Sequence, residues 1–269
     1  MMDILKRTLA PLPGEAWEEI DSQATKALKA QLSARSVVDF EGPHGWEKGS
    51  VNLGKIKFEQ TGMIEEVEYG LRQVQPLIEV RAPFPLCIKD MEDMARGLRN
   101  PDLEPLLVAV RKIAHFEDKV IYRGFEKGNI AGILKSSPHQ PIKIAGVPES
   151  CQKEVAEGRL TLQTSGIGGP YHLVLGNALY HALLQGDEKG YPLKKRIEEI
   201  LGGGIYWSAT LKGGVILSGR GGDFVLTVGQ DFSIGYAGHG EGKVQLFITE
   251  SFTFQILEPK AAVELIMEQ

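Results

Sequence analysis

The chain has 269 residues, 42% of them hydrophobic and 24% charged, a composition that can bury a sizeable core and that excludes a disordered chain. With 30 Lys and Arg against 35 Asp and Glu, the formal net charge of -5 provides no basic field for a phosphate backbone, so nucleic acid is not an expected partner. Cys87 and Cys151 are too few to staple a secreted fold, and no apolar run approaches the roughly 18 residues of a membrane span, so the expectation is a cytosolic protein with reduced thiols and no export signal.

At the amino end, the breaker cluster Pro11-Leu12-Pro13-Gly14 precedes Trp17, Ile20, Ala24, Leu28 and Leu32, whose helical spacing predicts an amphipathic helix through Ser33. Its other face, with Glu18, Glu19, Ser22, Lys26 and Lys29, is polar, so the apolar stripe needs cover from its own body or from a ligand peptide. Residues 45–71 alternate with period two at Gly54-Lys55-Ile56-Lys57-Phe58-Glu59 and predict a long hairpin turning near Gln60-Thr61-Gly62. A strand over 77–86 follows, with Pro83 and Pro85 marking an edge or an irregular end. Asp102 as a cap, Pro105 in the first turn, and the stripe Leu106, Val110, Ile113, Glu117 and Val120 predict the longest helix, ending at Gly124. From about 130 to 221, short Gly-punctuated elements read as a second, α/β-like subdomain, with helices near 149–157, 177–184 and 192–201 and a strand at 171–175. Strand patterns at 224–228 and 243–257, the latter carrying Leu246, Ile248, Phe252, Phe254 and Ile256, close the chain on a sheet.

Chemistry is sparse along this path. Gly166-Ile167-Gly168-Gly169 and Gly202-Gly203-Gly204 lack the spacing of phosphate-binding loops and read as turns or close approaches. The histidines His44, His115, His139, His172, His181 and His239 are scattered, and none stands at zinc or di-iron spacing from another ligand, so no metal is expected. No Gly-x-Ser-x-Gly elbow occurs. A protein that is not an enzyme is therefore expected.

A set of short motifs, in register from end to end, resembles one known family. Leu5-Lys6-Arg7, Ala10-Pro11-Leu12, Trp17 with Ile20-Asp21, Glu41-Gly42-Pro43-His44-Gly45-Trp46, Pro76-Leu77-Ile78-Glu79, Phe116-Glu117-Asp118 with Arg123-Gly124, and Gly169-Pro170-Tyr171 look like encapsulin shell proteins of family 1, the linocin or bacteriocin type. The carboxyl third agrees through Gly221-Gly222-Asp223-Phe224, Gly229-Gln230-Asp231, Ser233-Ile234-Gly235-Tyr236 and Phe247-Ile248-Thr249-Glu250. The resemblance implies an α+β fold of the Hong Kong 97-type phage capsid kind. Its parts would be an amino-terminal arm and helix at 1–44, an extended loop at 45–72, a peripheral domain with a spine helix at 73–132 and 221–269, and an axial domain at 133–220. It implies an icosahedral homo-oligomer that encloses a cargo enzyme of an iron-storage ferritin-like or dye-decolorizing peroxidase type, with roles in iron storage and oxidative stress. A prophage capsid protein is the first rival, and a hydrolase or protease the second.

The resemblance also implies sites. A cargo tail peptide would bind at Leu28, Arg35, Asp39 and Ile234, where the residues alone suggest core packing for Leu28 and a local ion pair for Arg35 and Asp39. The loop 185–191 would line the fivefold pore through Asp187, Glu188 and Lys189, where an exposed turn is the plainer alternative. Some relatives stack an aromatic side chain on a flavin. Arg81 matches that site, but Lys89 occupies the aromatic position and supplies no stacking face, and Phe84 would serve only with a changed geometry, so no cofactor is expected.

Overall fold

The computed structural model describes residues 3–64, 67–145, 148–188 and 191–267. After extended Pro13, helix α1 (Gly14–Gln31) turns Ala16, Ile20, Ala24 and Leu28 inward, one residue per turn, while Trp17 and Leu32 of the expected stripe stay half-buried beside them. A strap then leads to β1 (Asp39–Glu41). Strands β2 (Ser50–Ile64) and β3 (Val67–Pro76) form a two-stranded antiparallel ribbon. Ile64 pairs with Val67, so the reversal follows Ile64 and does not fall at Gln60-Thr61-Gly62, which stay within β2.

Strand β4 (Ile78–Cys87) runs directly into the short helix α2 (Ile88–Ala95). Helix α3 (Glu104–Arg123) starts where Asp102 Oδ1 accepts the Glu104 N–H at 3.0 Å, and it stops where Gly124 takes a positive φ of 83°. Leu106, Val110, Ile113, Glu117 and Val120 are all buried, as the stripe requires, and Asp118 is buried with them.

The middle of the chain holds α4 (Ile133–Ser136), β5 (Ile142–Ile144), α5 (Pro148–Thr164), β6 (Tyr171–Leu175), α6 (Asn177–Gln185), β7 (Asp187–Glu188), β8 (Tyr191–Pro192), α7 (Leu193–Leu201), β9 (Gly202–Trp207) and β10 (Gly214–Ser218). Helix α5 outruns the expected 149–157 because Leu162 extends its buried face. It passes through Gly158, where a Cβ would come within 2.5 Å of Ile216 Cδ1; glycine lets the helix lie close on the sheet. The chain ends with β11 (Phe224–Val228), β12 (Ser233–Gly240), β13 (Lys243–Ile256) and β14 (Ala262–Met267).

Two five-stranded sheets organise these elements. In the first, β13 is central: β4 pairs along one side from Lys243 to Phe252, while β12 and then β11 pair along the other, and β1 adds in parallel to β11. Pro83 and Pro85 sit in β4, whose sheet partner is β13 alone among the described residues. In the second sheet, the order is β5-β14-β10-β6-β9. Strand β14 thus lies between β5 and β10, held by the antiparallel ladder Gly214↔Leu265 to Leu217↔Ala262 and by parallel pairing with β5. One core joins α1, α2, most of α3, β4, β12 and the first half of β13 around Leu106, Val110, Leu246 and Ile248. The other gathers the second sheet, its helices and the carboxyl end of α3, together with Phe224, Leu226 and Val228 of β11 and Phe252 and Phe254 of β13.

Candidate functional site

The strap between α1 and β1 is held by acids that the core would ordinarily reject. Ser33 gives its backbone N–H (3.2 Å) and its hydroxyl (2.5 Å) to Asp118 Oδ2, and Ala34 N–H donates to Asp118 Oδ1 at 3.0 Å. The hydroxyls of Tyr122 and Ser208 complete this cage, at 3.0 Å from Ser33 Oγ and 3.3 Å from Asp118 Oδ2. Burial raises the Asp118 carboxyl to about 6, against the pull of the Ser33 and Ala34 donors.

Arg35 then inserts its guanidinium among three carboxyl groups. It meets Glu117 of α3 through Nε at 3.0 and 3.1 Å and Nη2 at 2.7 Å, and Asp231 through Nη1 at 2.9 Å. Nη2 also donates to Glu250 of β13. The guanidinium lies 4.7 Å from the centre of the Phe232 ring and 5.1 Å from that of Phe40. Burial alone would weaken its hold on the proton, but Glu117 first, then Glu250 and Asp231, reverse this and raise it above the usual guanidinium range.

Of the four residues expected to bind a tail, Leu28 (9% exposed) and Ile234 (4% exposed) fall in the same core cluster, on α1 and β12. The half-buried Leu12, Trp17, Leu32, Phe232 and Tyr236 pack against that cluster. The amino-terminal arm crosses the same ground: Tyr236 N–H donates to the Leu5 carbonyl at 2.8 Å, and Arg7 pairs with Asp21 at 2.7 Å while standing 4.0 Å from the Trp17 ring centre. Arg35 and Asp39 have separate partners. Asp39 Oδ2 accepts the N–H of Gly222 at 2.6 Å, whose φ of 79° suits glycine, and its backbone pairs with Val225.

Asp187 and Glu188 form β7, paired with β8 through Asp187↔Pro192 and Glu188↔Tyr191, while Lys189 lies outside the described residues. At the flavin-type position, Arg81 is engaged with Glu79 at 3.1 Å and lies 4.1 Å from the Phe247 ring centre; Lys89 stands in the first turn of α2, and Phe84 is buried in the core. Among the described residues, no group of three or more His, Cys, Asp or Glu side chains is disposed to hold a metal ion, and no helix is long and apolar enough to cross a membrane.

The acids Glu117, Asp118, Asp231 and Glu250 around the strap were not expected as a group. One signal existed: Glu117 stands on the apolar stripe of α3, where a solvated carboxylate has no place.

Three comparisons bear on this arrangement. The model of a family described as "Encapsulating protein for peroxidase" matches residues 2–253. A type 1 encapsulin shell protein of Rhodospirillum rubrum is 40% identical, with 98% of this chain and 96% of that protein aligned, and one of Brevibacterium linens is 36% identical over 98% and 99%. Among solved structures, a virus-like particle from Pyrococcus furiosus superposes with a TM-score of 0.68 at 17% identity, over 93% of this chain and 98% of that one. The capsid of Myoviridae phage XM1 gives 0.56 at 11% identity, over 87% and 91%. These likenesses show the fold, which is that of the Hong Kong 97-type capsid proteins.

Proposed function

The chain belongs to the family of type 1 encapsulin shell proteins and forms a capsid-like shell, and we propose that this shell encloses a cargo enzyme recruited by a terminal tail peptide. The family match over residues 2–253 carries this reading. A peroxidase is the favoured cargo, because the matching family is described by one; a ferritin-like iron-storage protein is the alternative within the same reading. Sequestering such an enzyme serves oxidative-stress defence or iron storage, and the shell itself performs no reaction.

Tail docking uses a ledge on the core cluster to which α1 and β12 both contribute. Leu28 and Ile234 are its apolar floor, and burial of aliphatic tail side chains against Trp17, Leu32, Phe232 and Tyr236 supplies most of the affinity, at about 25 cal/mol per Å² removed from water. Arg35 and Asp39 fix the strap that borders the ledge. Solutes reach the cargo through openings lined by Asp187, Glu188 and Lys189. Neutralising Asp187 and Glu188 would slow entry of cations and leave entry of neutral solutes unchanged, in a reporter-quenching assay on closed particles.

The experiment is proteomic analysis of particles purified from native cells. The reading expects one redox or iron-handling enzyme, protected from protease until the shell is opened and lost when its terminal tail is deleted. Particles that are empty, or that hold nucleic acid, would contradict it and favour the phage-capsid reading.

A further inference from the structure

Glu117 and Glu250 are both fully buried and share one guanidinium, that of Arg35. Their shares are unequal. Glu117 engages it through both oxygens, whereas Glu250 accepts through Oε1 alone and its Oε2 is buried without a hydrogen-bond partner among the described residues. Asp231 claims a further N–H of the same guanidinium, so three carboxyl groups meet one cation. A buried anionic oxygen with no donor is strongly disfavoured, and two carboxylates in one dry site resolve the conflict by holding a proton between them.

We propose that Glu250 is a neutral carboxylic acid in the folded subunit, that its O–H donates to Glu117, and that this acid pair positions Arg35 and with it the strap from Ser33 to Glu41. The proton supplies the donor that neither carboxylate has, and it removes the excess charge that would otherwise oppose burial of the strap. Asymmetry of contact decides which acid holds it: Glu117, with the bidentate grip, is the anion. Burial, and after it the charge of Glu117, raise the Glu250 carboxyl well above the ordinary carboxylate range in spite of Arg35. The groups facing it are Arg35 from the strap, Glu117 and beyond it Asp118 from α3, and Asp231 from the turn before β12; on neighbouring β4, Arg81 is occupied by Glu79 and Phe247. The folded-state value is raised, so the stabilisation is full below the ordinary carboxylate range and is lost as pH rises through the folded value. The inference is independent of what the shell encloses.

Infrared spectroscopy of the assembled protein in D2O at pH 8 tests it, because Asp118, at about 6, is then ionised. The wild type should show the carbonyl stretch of a protonated carboxylic acid, D118N should keep it and E250Q should lose it. A wild type without the band, or a band that survives E250Q, overturns the proposal. Thermal melting against pH gives the second reading. E250Q should match the wild type below the ordinary carboxylate range and lack the loss of stability that the wild type accumulates as pH rises above it, while E117Q lowers the melting temperature at neutral pH. A fall of stability with pH in E250Q equal to that of the wild type contradicts the inference, and so does failure of E250Q to assemble, since the amide is the neutral isostere of the proposed acid.

Discussion

Asp118 shows how one buried carboxyl can be both a tether and a pH-dependent liability. Its four donors hold Ser33 and Ala34 at the end of α1 and reach across to Ser208. Its folded-state value of about 6 lies above the ordinary 3.8, so its contribution is full below pH 3.8 and declines as pH rises through 6. The loss is on the order of 3 kcal/mol at most, from about 1.36 kcal/mol per unit. The difference in stability between wild type and D118N should therefore shrink across that window in melting experiments; a difference that stays flat would remove Asp118 as the cause. Legibility at this scale depended on position. Glu117 stands on a helical apolar stripe, and Glu250 shares the register of Leu246, Ile248, Phe252 and Phe254, a signal that the strand pattern carried unread. That they share Arg35 was hidden, because periodicity says which face a residue is on and not which residue lies opposite.

At the scale of elements, the β2–β3 ribbon exposes Ile56 and Phe58 on one face and Val67, Tyr69 and Leu71 on the other. Gly70, opposite Phe58, leaves the space that Ile56 occupies: a Cβ there would sit 2.5 Å from Ile56 Cγ2. Two-stranded ribbons are marginal in water, and exposed apolar rows of this kind ask for another surface. We propose that a neighbouring subunit supplies it, as an extended loop would require. Phe58→Asp with Leu71→Asp should leave the far-ultraviolet spectrum and the cores intact but prevent closed particles, as read by size-exclusion chromatography; normal assembly would show that the ribbon covers nothing. The hairpin and the long α3 were readable because their periods persist over many residues. The placement of β14 was not, since Ala262 to Met267 has strand character whichever sheet receives it, and only the ladder with β10 and β5 decides.

For the whole molecule, two sheets and two cores give a subunit with several unfinished edges. Strand β1 carries exposed Phe40 at the edge of the first sheet, and β5 and β9 are the edges of the second. Such edges are liabilities in an isolated subunit and contacts in a closed assembly, where symmetry pairs or covers each of them. The shell reading was legible in the sequence only through many short motifs held in register, since assembly is a property of surfaces spread along the whole chain. Electron microscopy of the purified protein tests it most directly. Closed, hollow particles of uniform diameter with density inside those taken from native cells are the expected result; a monodisperse subunit that forms no closed particle at any concentration or ionic strength would contradict the account.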